Sequence, residues 1–133
     1  MSDKHLGTCL CGAARFEVDG RFDRFYLCHC GHCRKDSGSA HTANLFSASA
    51  TLTWLSGADR VTTYTLPDTR HTRSFCSTCG SAMPYMLGTM LVVPAGSLST
   101  DVGIAPDAHI FVASRAGWTR DLSDVPGFDG FPV

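Results

Sequence analysis

The sequence predicts a single small domain that is mainly β. Nine short stretches rich in β-branched and aromatic residues are separated by Gly, Pro, Ser and Asp, which is the pattern of strands joined by turns. No stretch shows the apolar period of a long helix. The chain has 133 residues, of which 44% are hydrophobic, and this size and composition are enough for one core. We therefore expect one domain over residues 1–133.

The expected elements follow one another at short intervals. Strands are predicted at 14–18, 25–30, 41–46, 51–55, 60–66, 71–76, 81–87, 90–96 and 109–113. One short helix or turn is expected after Cys33, through RKDSGS, ending near Gly38 because glycine readily ends helices. The tail after Trp118, with DLSDVPGFDGFPV, mixes Pro and Gly with aromatic residues. We expect this tail to wrap the surface as a packed loop.

The balance of charged residues gives no indication of a highly charged binding partner. Lys and Arg total 11 against 12 Asp and Glu, so nothing points to nucleic acid or to a membrane surface. The polar start MSDKHLGT lacks the apolar stretch of a signal peptide, and no apolar run approaches the roughly 18 residues that span a bilayer. We expect a cytoplasmic protein that binds neither nucleic acid nor membranes.

All seven cysteines fall in three short clusters, which are Cys9 with Cys11, Cys28 with Cys30 and Cys33, and Cys76 with Cys79. Because the cytosol keeps thiols reduced and an odd number cannot all pair, metal ligation is favoured over disulfides. Side chains two apart in an extended chain point to the same face, so each C-x-C pair can reach one ion. The C-x-x-C-G run at 76–80 is typical of a tight knuckle whose two sulfurs converge on a metal.

The seven thiols divide most simply as four plus three. A closed structural zinc takes four protein ligands, whereas a catalytic zinc takes three and keeps one exchangeable position. The contiguous cluster Cys28, Cys30 and Cys33 suits the open site, and the two remote pairs then close a four-thiolate site. In the rival division His32 or His29 supplies a fourth ligand, giving two structural zincs and no chemistry. We interpret His29, which alternates away from its neighbouring cysteines, as packed or hydrogen-bonded, but spacing alone leaves both divisions open.

Four sequence blocks carry a resemblance that covers nearly the whole chain. They read GTCLCGAARFEV (7–18), CHCGHCRKDSGS (28–39), RSFCSTCG (73–80) and HIFVASRAGW (109–118). Their order and cysteine spacing resemble the glutathione-dependent formaldehyde-activating family, also called the centromere-protein-V-like family. The resemblance implies a β-rich, tent-like fold of packed antiparallel sheets. It also implies a carbon-sulfur lyase that joins formaldehyde to glutathione, giving S-(hydroxymethyl)glutathione.

Carried over by position, the resemblance also implies the ligands of two zinc ions. The structural zinc would be held by four thiolates, those of Cys9, Cys11, Cys76 and Cys79. The catalytic zinc would be held by three, those of Cys28, Cys30 and Cys33. These assignments agree with the four-plus-three division.

The residues favour thiol chemistry over hydrolysis. Zinc with three thiolate ligands has a formal charge of about minus one, which makes it a poor Lewis acid for water. The single glutamate, Glu17, also lacks the H-x-E or H-E-x-x-H context of zinc hydrolases and deaminases. Such a zinc better suits a thiol, whose pKa it would lower before the thiolate meets a small aldehyde.

Three basic residues stand beside the cysteines in sequence, namely Arg34, Lys35 and Arg73. They are candidates for binding the carboxylates of glutathione, although a solvated surface is the default position for such residues. The alternative function class is a zinc-stabilised binding or scaffold module, with two structural zincs and no turnover.

Overall fold

Short strands make up most of the regular structure in the computed structural model, which describes residues 3–132. The strands are β1 Lys4–Thr8, β2 Arg15–Asp19, β3 Arg24–Cys28, β4 Thr42–Ser47, β5 Thr51–Ser56, β6 Val61–Thr65, β7 Thr72–Cys76, β8 Ala82–Met83, β9 Tyr85–Leu87, β10 Met90–Pro94 and β11 Ala108–Ile110. The α-helix α1 spans Gly31–Ser37, and the 3₁₀ turns are Ala58–Arg60, Ala95–Ser97, Val112–Ser114 and Gly117–Thr119. The prediction of a mainly β fold is confirmed.

The strands form three sheets. Two have three strands, in the orders β1-β2-β5 and β6-β7-β8, and the third has the order β11-β3-β4-β10-β9. The pairings are antiparallel, as the family resemblance implied, except that β11 lies parallel to β3. A parallel pairing is possible here because β11 is far from β3 in sequence, with a connection long enough to cross over.

Several details differ from the sequence-based expectation. The predicted strand 81–87 is divided at Pro84, because proline has no N–H for the strand ladder. The helix begins at Gly31, so Cys33 lies inside it, although it ends beside Gly38 (φ 66°) as predicted. Strand β1 was not predicted, because KHLGT is poor in strand-forming residues. Its Gly7 fits the fold closely, since a Cβ there would lie 2.1 Å from the Phe16 ring.

The core lies between the sheets and includes part of the cysteine set. Phe16, Leu45 and Met83 are completely buried, and Cys9 and Cys76 belong to the same cluster of buried residues. Two of the four cysteines from the remote pairs are therefore core residues. Over residues 3–132, no helix has the length and apolar character needed to cross a bilayer.

The prediction of a packed C-terminal tail was wrong. Residues 121–132 are exposed throughout, and Phe131 is 85% exposed. The apolar residues of this tail are interrupted by Asp, Gly and Pro. They therefore do not form one face that can pack on the core.

Candidate metal centres

The two remote cysteine pairs meet in one four-sulfur cluster. The sulfurs of this cluster all lie within 4.8 Å of one another and belong to Cys9, Cys11, Cys76 and Cys79. The Sγ of Cys11 lies 3.6 Å from that of Cys9 and 4.0 Å from that of Cys76. Four sulfurs placed about 2.3 Å from a tetrahedral zinc would be separated by about 3.8 Å. The donor set and its spacing therefore fit a tetrahedral divalent ion such as zinc.

A tight turn places the first pair, rather than the extended chain expected from the C-x-C spacing. Cys9 and Cys11 follow β1, and the Gly12 N–H donates to the Cys9 carbonyl at 3.2 Å. The Ala14 N–H donates to the Cys9 sulfur at 3.3 Å. Backbone N–H groups aimed at sulfur favour the thiolate, which is the form that binds metal.

The second pair lies on the knuckle predicted from C-x-x-C-G. Cys76 ends β7, and the Gly80 N–H donates to its carbonyl at 2.7 Å, with Gly80 in the left-handed region (φ 79°). Contact with the Ser81 hydroxyl lowers the pKa of Cys79 to about 5. The same hydroxyl accepts a hydrogen bond from the Leu10 N–H at 2.8 Å. This backbone-to-side-chain bond joins the two loops that carry the cysteines, and so helps to hold the four sulfurs together.

The central cysteines form a separate three-sulfur cluster. Cys28 ends β3, Cys30 directly precedes α1, and Cys33 lies within α1. The Cys33 N–H donates a hydrogen bond to the Cys30 sulfur at 3.3 Å. The three sulfurs lie within 4.8 Å of one another. Burial raises the pKa of Cys28 and of Cys33 above the ordinary thiol value. Three adjacent thiolates in this position therefore require a cation, which is the role a metal ion would fill.

The histidines of the CHCGHC run lie outside this sulfur group. His29 is 5% exposed and its Nε2 lies 2.8 Å from His109 Nδ1. Burial, together with the neighbouring His41 and His109, lowers the pKa of His29, which favours neutral imidazole. His32 is exposed, with its ring 5.2 Å from that of His71. Among the residues that the structure describes, no histidine nitrogen joins the three sulfurs within 4.8 Å. The reading of His29 as a packed, hydrogen-bonded residue is confirmed.

A cavity of about 810 Å³ opens onto the three-sulfur cluster. Cys28 and Cys33 line it, whereas the four-sulfur cluster contributes only Cys9. Arg70 and Arg73 add positive charge to the same wall. Cavities of about 300–1,000 Å³ are the usual size of small-molecule sites, so a tripeptide could be accommodated beside the central thiols.

The three predicted carboxylate-binding residues are placed differently relative to this cavity. Arg73 lines it, with its guanidinium donating to the Gly80 carbonyl at 3.2 Å and lying 5.1 Å from the centre of the Phe75 ring. Arg34 and Lys35 are not among the lining residues. Both follow Cys33 on α1, and for them contact with a substrate carboxylate stays a prediction.

Other cavity residues were not singled out from the sequence. Asp36 lies on α1, Arg70 and His71 lie in the loop before β7, and Tyr85 begins β9; all four line the cavity. Burial raises the pKa of Tyr85 to about 12. Only Asp36 had an available signal, since it lies three residues after Cys33 and so on the same face of a helix.

The sequence profile described as "Glutathione-dependent formaldehyde-activating enzyme" matches residues 4–114. The chain belongs to this family. The matched range contains all seven cysteines and the elements that form the cavity, so the resemblance drawn from the sequence blocks is confirmed. The match ends before the exposed tail.

Two individual proteins are similar to this chain, and the first of them carries the family's name. The chain is 32% identical over 126 residues to a Halomonas elongata protein named "Putative glutathione-dependent formaldehyde-activating enzyme", covering 86% of this chain and 78% of that relative. A crystal structure of a Rhodobacter sphaeroides protein superposes with a TM-score of 0.55 and 25% identity, covering 78% of this chain and 98% of the other. The fold therefore has a counterpart among solved structures.

Proposed function

We propose that this protein is a zinc-dependent carbon-sulfur lyase that joins a thiol such as glutathione to a small aldehyde such as formaldehyde. The observation that carries the proposal is the three-sulfur cluster, which lines the cavity and, among residues 3–132, has no fourth His, Cys, Asp or Glu ligand atom within 4.8 Å. In a closed structural zinc site, a fourth protein side chain fills the remaining ligand position. Family membership supports the same substrates.

The two clusters would have different roles. Cys9, Cys11, Cys76 and Cys79 would hold a structural zinc, and Cys28, Cys30 and Cys33 a catalytic one. When bound there, zinc would lower the pKa of a substrate thiol and keep it as a thiolate. The reaction forms one S–C bond, breaks the π bond of the aldehyde, and moves the thiol proton to the aldehyde oxygen.

The cavity wall would orient the thiol substrate. Glutathione carries two carboxylates, and the guanidinium groups of Arg70 and Arg73 can bind carboxylates in a bidentate manner. Arg34 and Lys35, which are outside the cavity lining, belong to the proposal as cations that offset the negative charge of the central cluster. We expect alanine at Arg73 to weaken glutathione binding more than alanine at Lys35.

The proposal also includes the wider setting of the reaction. A cytoplasmic location suits an enzyme whose seven cysteines must remain reduced to bind metal and whose substrate is a reduced thiol. We place residues 1–133 in one domain, and expect neither nucleic acid nor a membrane as a partner. The non-catalytic scaffold would require a closed second zinc site, for which the described histidines supply no ligand.

Exchange spectroscopy tests this function. The rate at which glutathione and its hydroxymethyl adduct interconvert in the presence of formaldehyde can be measured by NMR, with and without zinc-loaded protein. We expect acceleration by the wild-type protein and none by Cys33→Ser, which removes one of the three central ligands. If the wild-type protein carries two zinc ions and does not accelerate exchange for glutathione or another small thiol, the lyase proposal is overturned.

A further inference from the structure

Asp36 and His71 form a hydrogen-bonded pair on the wall of the cavity. Asp36 Oδ2 lies 2.5 Å from His71 Nε2, and the side chains of Asp36 and His71 are 21% and 19% exposed, respectively. Both residues line the same cavity as Cys28 and Cys33. The pair is thus accessible from the cavity but largely shielded from bulk solvent.

The fold brings this pair to the three-sulfur cluster from two directions. Asp36 lies one helical turn after Cys33 on α1, on the same face and about 4.5 Å further along the axis. His71 comes from the loop before β7. Its backbone N–H donates to Thr69 Oγ1 at 3.1 Å, and its carbonyl accepts from the Leu66 N–H at 2.9 Å. The backbone is therefore held in place at both residues, by the helix at Asp36 and by these two hydrogen bonds at His71.

We propose that His71 is the proton carrier of the reaction and that Asp36 is its positioning residue. This inference rests on the proposed function. Hemithioacetal formation requires a proton to leave the thiol sulfur and a proton to reach the aldehyde oxygen as the S–C bond forms. An imidazole whose Nε2–H is held by a carboxylate keeps Nδ1 free to accept the first proton and to return it to the oxygen. The overall step then consumes no other reactant.

Other cavity residues are less suited to this role. His41 also lines the cavity, but its Nδ1 lies 3.1 Å from the Thr42 carbonyl and it has no carboxylate partner in the described part of the chain. Burial raises the pKa of Tyr85 to about 12, so its phenol stays neutral and cannot act as a base near neutral pH. Among these residues, only His71 has a carboxylate to orient it.

A purely structural role is the rival explanation, because the pair also links α1 to the loop before β7. Chemical rescue separates the two roles. The proposed experiment measures glutathione–formaldehyde exchange, zinc content, melting temperature and KM for wild-type protein, His71→Ala, His71→Gln and Asp36→Asn. The control is His5→Gln, which changes another part-buried histidine outside the cavity.

We expect both His71 variants to retain two zinc ions and the wild-type KM while kcat falls by about 100-fold or more, the usual scale for loss of a general acid-base group. Added imidazole should restore part of the rate in His71→Ala, because the cavity has room for it, and should leave wild type and His5→Gln unchanged. Asp36→Asn should lower kcat without changing KM.

Two results would overturn the inference while leaving the proposed function in place. One is a wild-type rate in both His71 variants. The other is a loss of zinc or a lower melting temperature in these variants, combined with no recovery of the rate when imidazole is added. That result would show that the pair only links α1 to the loop before β7. A wild-type protein that fails to accelerate exchange would overturn the proposed function itself, and the proton-carrier role with it.

Discussion

Removing one cysteine from each cluster should have very different effects on folding. Cys76 is completely buried in the core cluster, and its sulfur is part of the four-sulfur group that joins the Cys9 loop to the β7 knuckle. Structural zinc contributes about 10 kcal/mol or more to the folding of small domains, whereas total domain stability is about 5–15 kcal/mol. Cys76→Ser should therefore leave insoluble or unfolded protein.

Cys33→Ser should remain folded with one zinc fewer. Cys33 is buried, so placing a hydroxyl there costs about 1–3 kcal/mol if it lacks a partner, and this is less than the loss of a structural zinc. The two variants can be compared by urea denaturation and by zinc content from mass spectrometry. Soluble Cys33→Ser with one zinc per chain is the expected result.

An exposed cysteine of the four-sulfur cluster supplies the matched control. Cys11 belongs to the same cluster as Cys76 but is exposed, so Cys11→Ser removes a proposed zinc ligand without disturbing core packing. A large loss of stability in Cys11→Ser would therefore come from the loss of metal binding and not from altered core packing. The reasoning would be refuted if Cys33→Ser unfolded as readily as Cys76→Ser, or if Cys11→Ser were as stable as wild type and still lost its zinc.

The remaining predictions concern packing, substrate charge and metal release. Gly7→Ala should lower stability by about 1–3 kcal/mol in thermal denaturation, because its Cβ would lie 2.1 Å from the Phe16 ring, whereas Gly31→Ala, with nothing within 4 Å, should be nearly neutral. Equal losses would contradict this packing argument. Glutathione affinity, measured by calorimetry, should fall as salt rises and should fall further in Arg73→Ala than in Lys35→Ala; equal affinities would remove Arg73 from the substrate site. A chelator should withdraw zinc from the three-sulfur cluster before the four-sulfur cluster, in two phases followed with a zinc-sensitive dye, and a single phase would show that the two sites are equally closed.

Most of the fold could be predicted from local composition. Strands such as β6, with Val61 and its threonines, have the β-branched content that is typical of strands, although most of β6 is exposed. Strand β1 lacks that content; it pairs with β2, and Gly7 lets the Phe16 ring pack directly against its backbone. Such tertiary contacts have no local signal. In the exposed tail, local composition was misleading. Its aromatic residues suggested packing on the core, but the Asp, Gly and Pro residues between them prevent a continuous apolar face.

The metal clusters could be predicted because their ligands come in short, recognisable pairs, and the structure brings together the groups that spacing and family resemblance indicated. The cavity could not be predicted in the same way. Of the three basic candidates, only Arg73 lines the cavity; Arg34 and Lys35 are adjacent to Cys33 in sequence but do not, and Arg70, which does, was not singled out. Neighbours in sequence on a helix point in successive directions, so adjacency alone does not place a side chain in a site.

Cobalt substitution with a glutathione titration tests the central claim most directly, namely that the three-sulfur cluster keeps an open ligand position and the four-sulfur cluster does not. Protein loaded with two cobalt ions would be titrated with glutathione, and with S-methylglutathione as the matched control that has no thiolate to offer. We predict that glutathione changes the absorption bands of one cobalt and leaves the four-thiolate cobalt unchanged, while S-methylglutathione changes neither. If neither glutathione nor another small thiol perturbs either cobalt, and His32→Ala abolishes the second metal, then the CHCGHC run is a closed structural site and the enzyme proposal is contradicted.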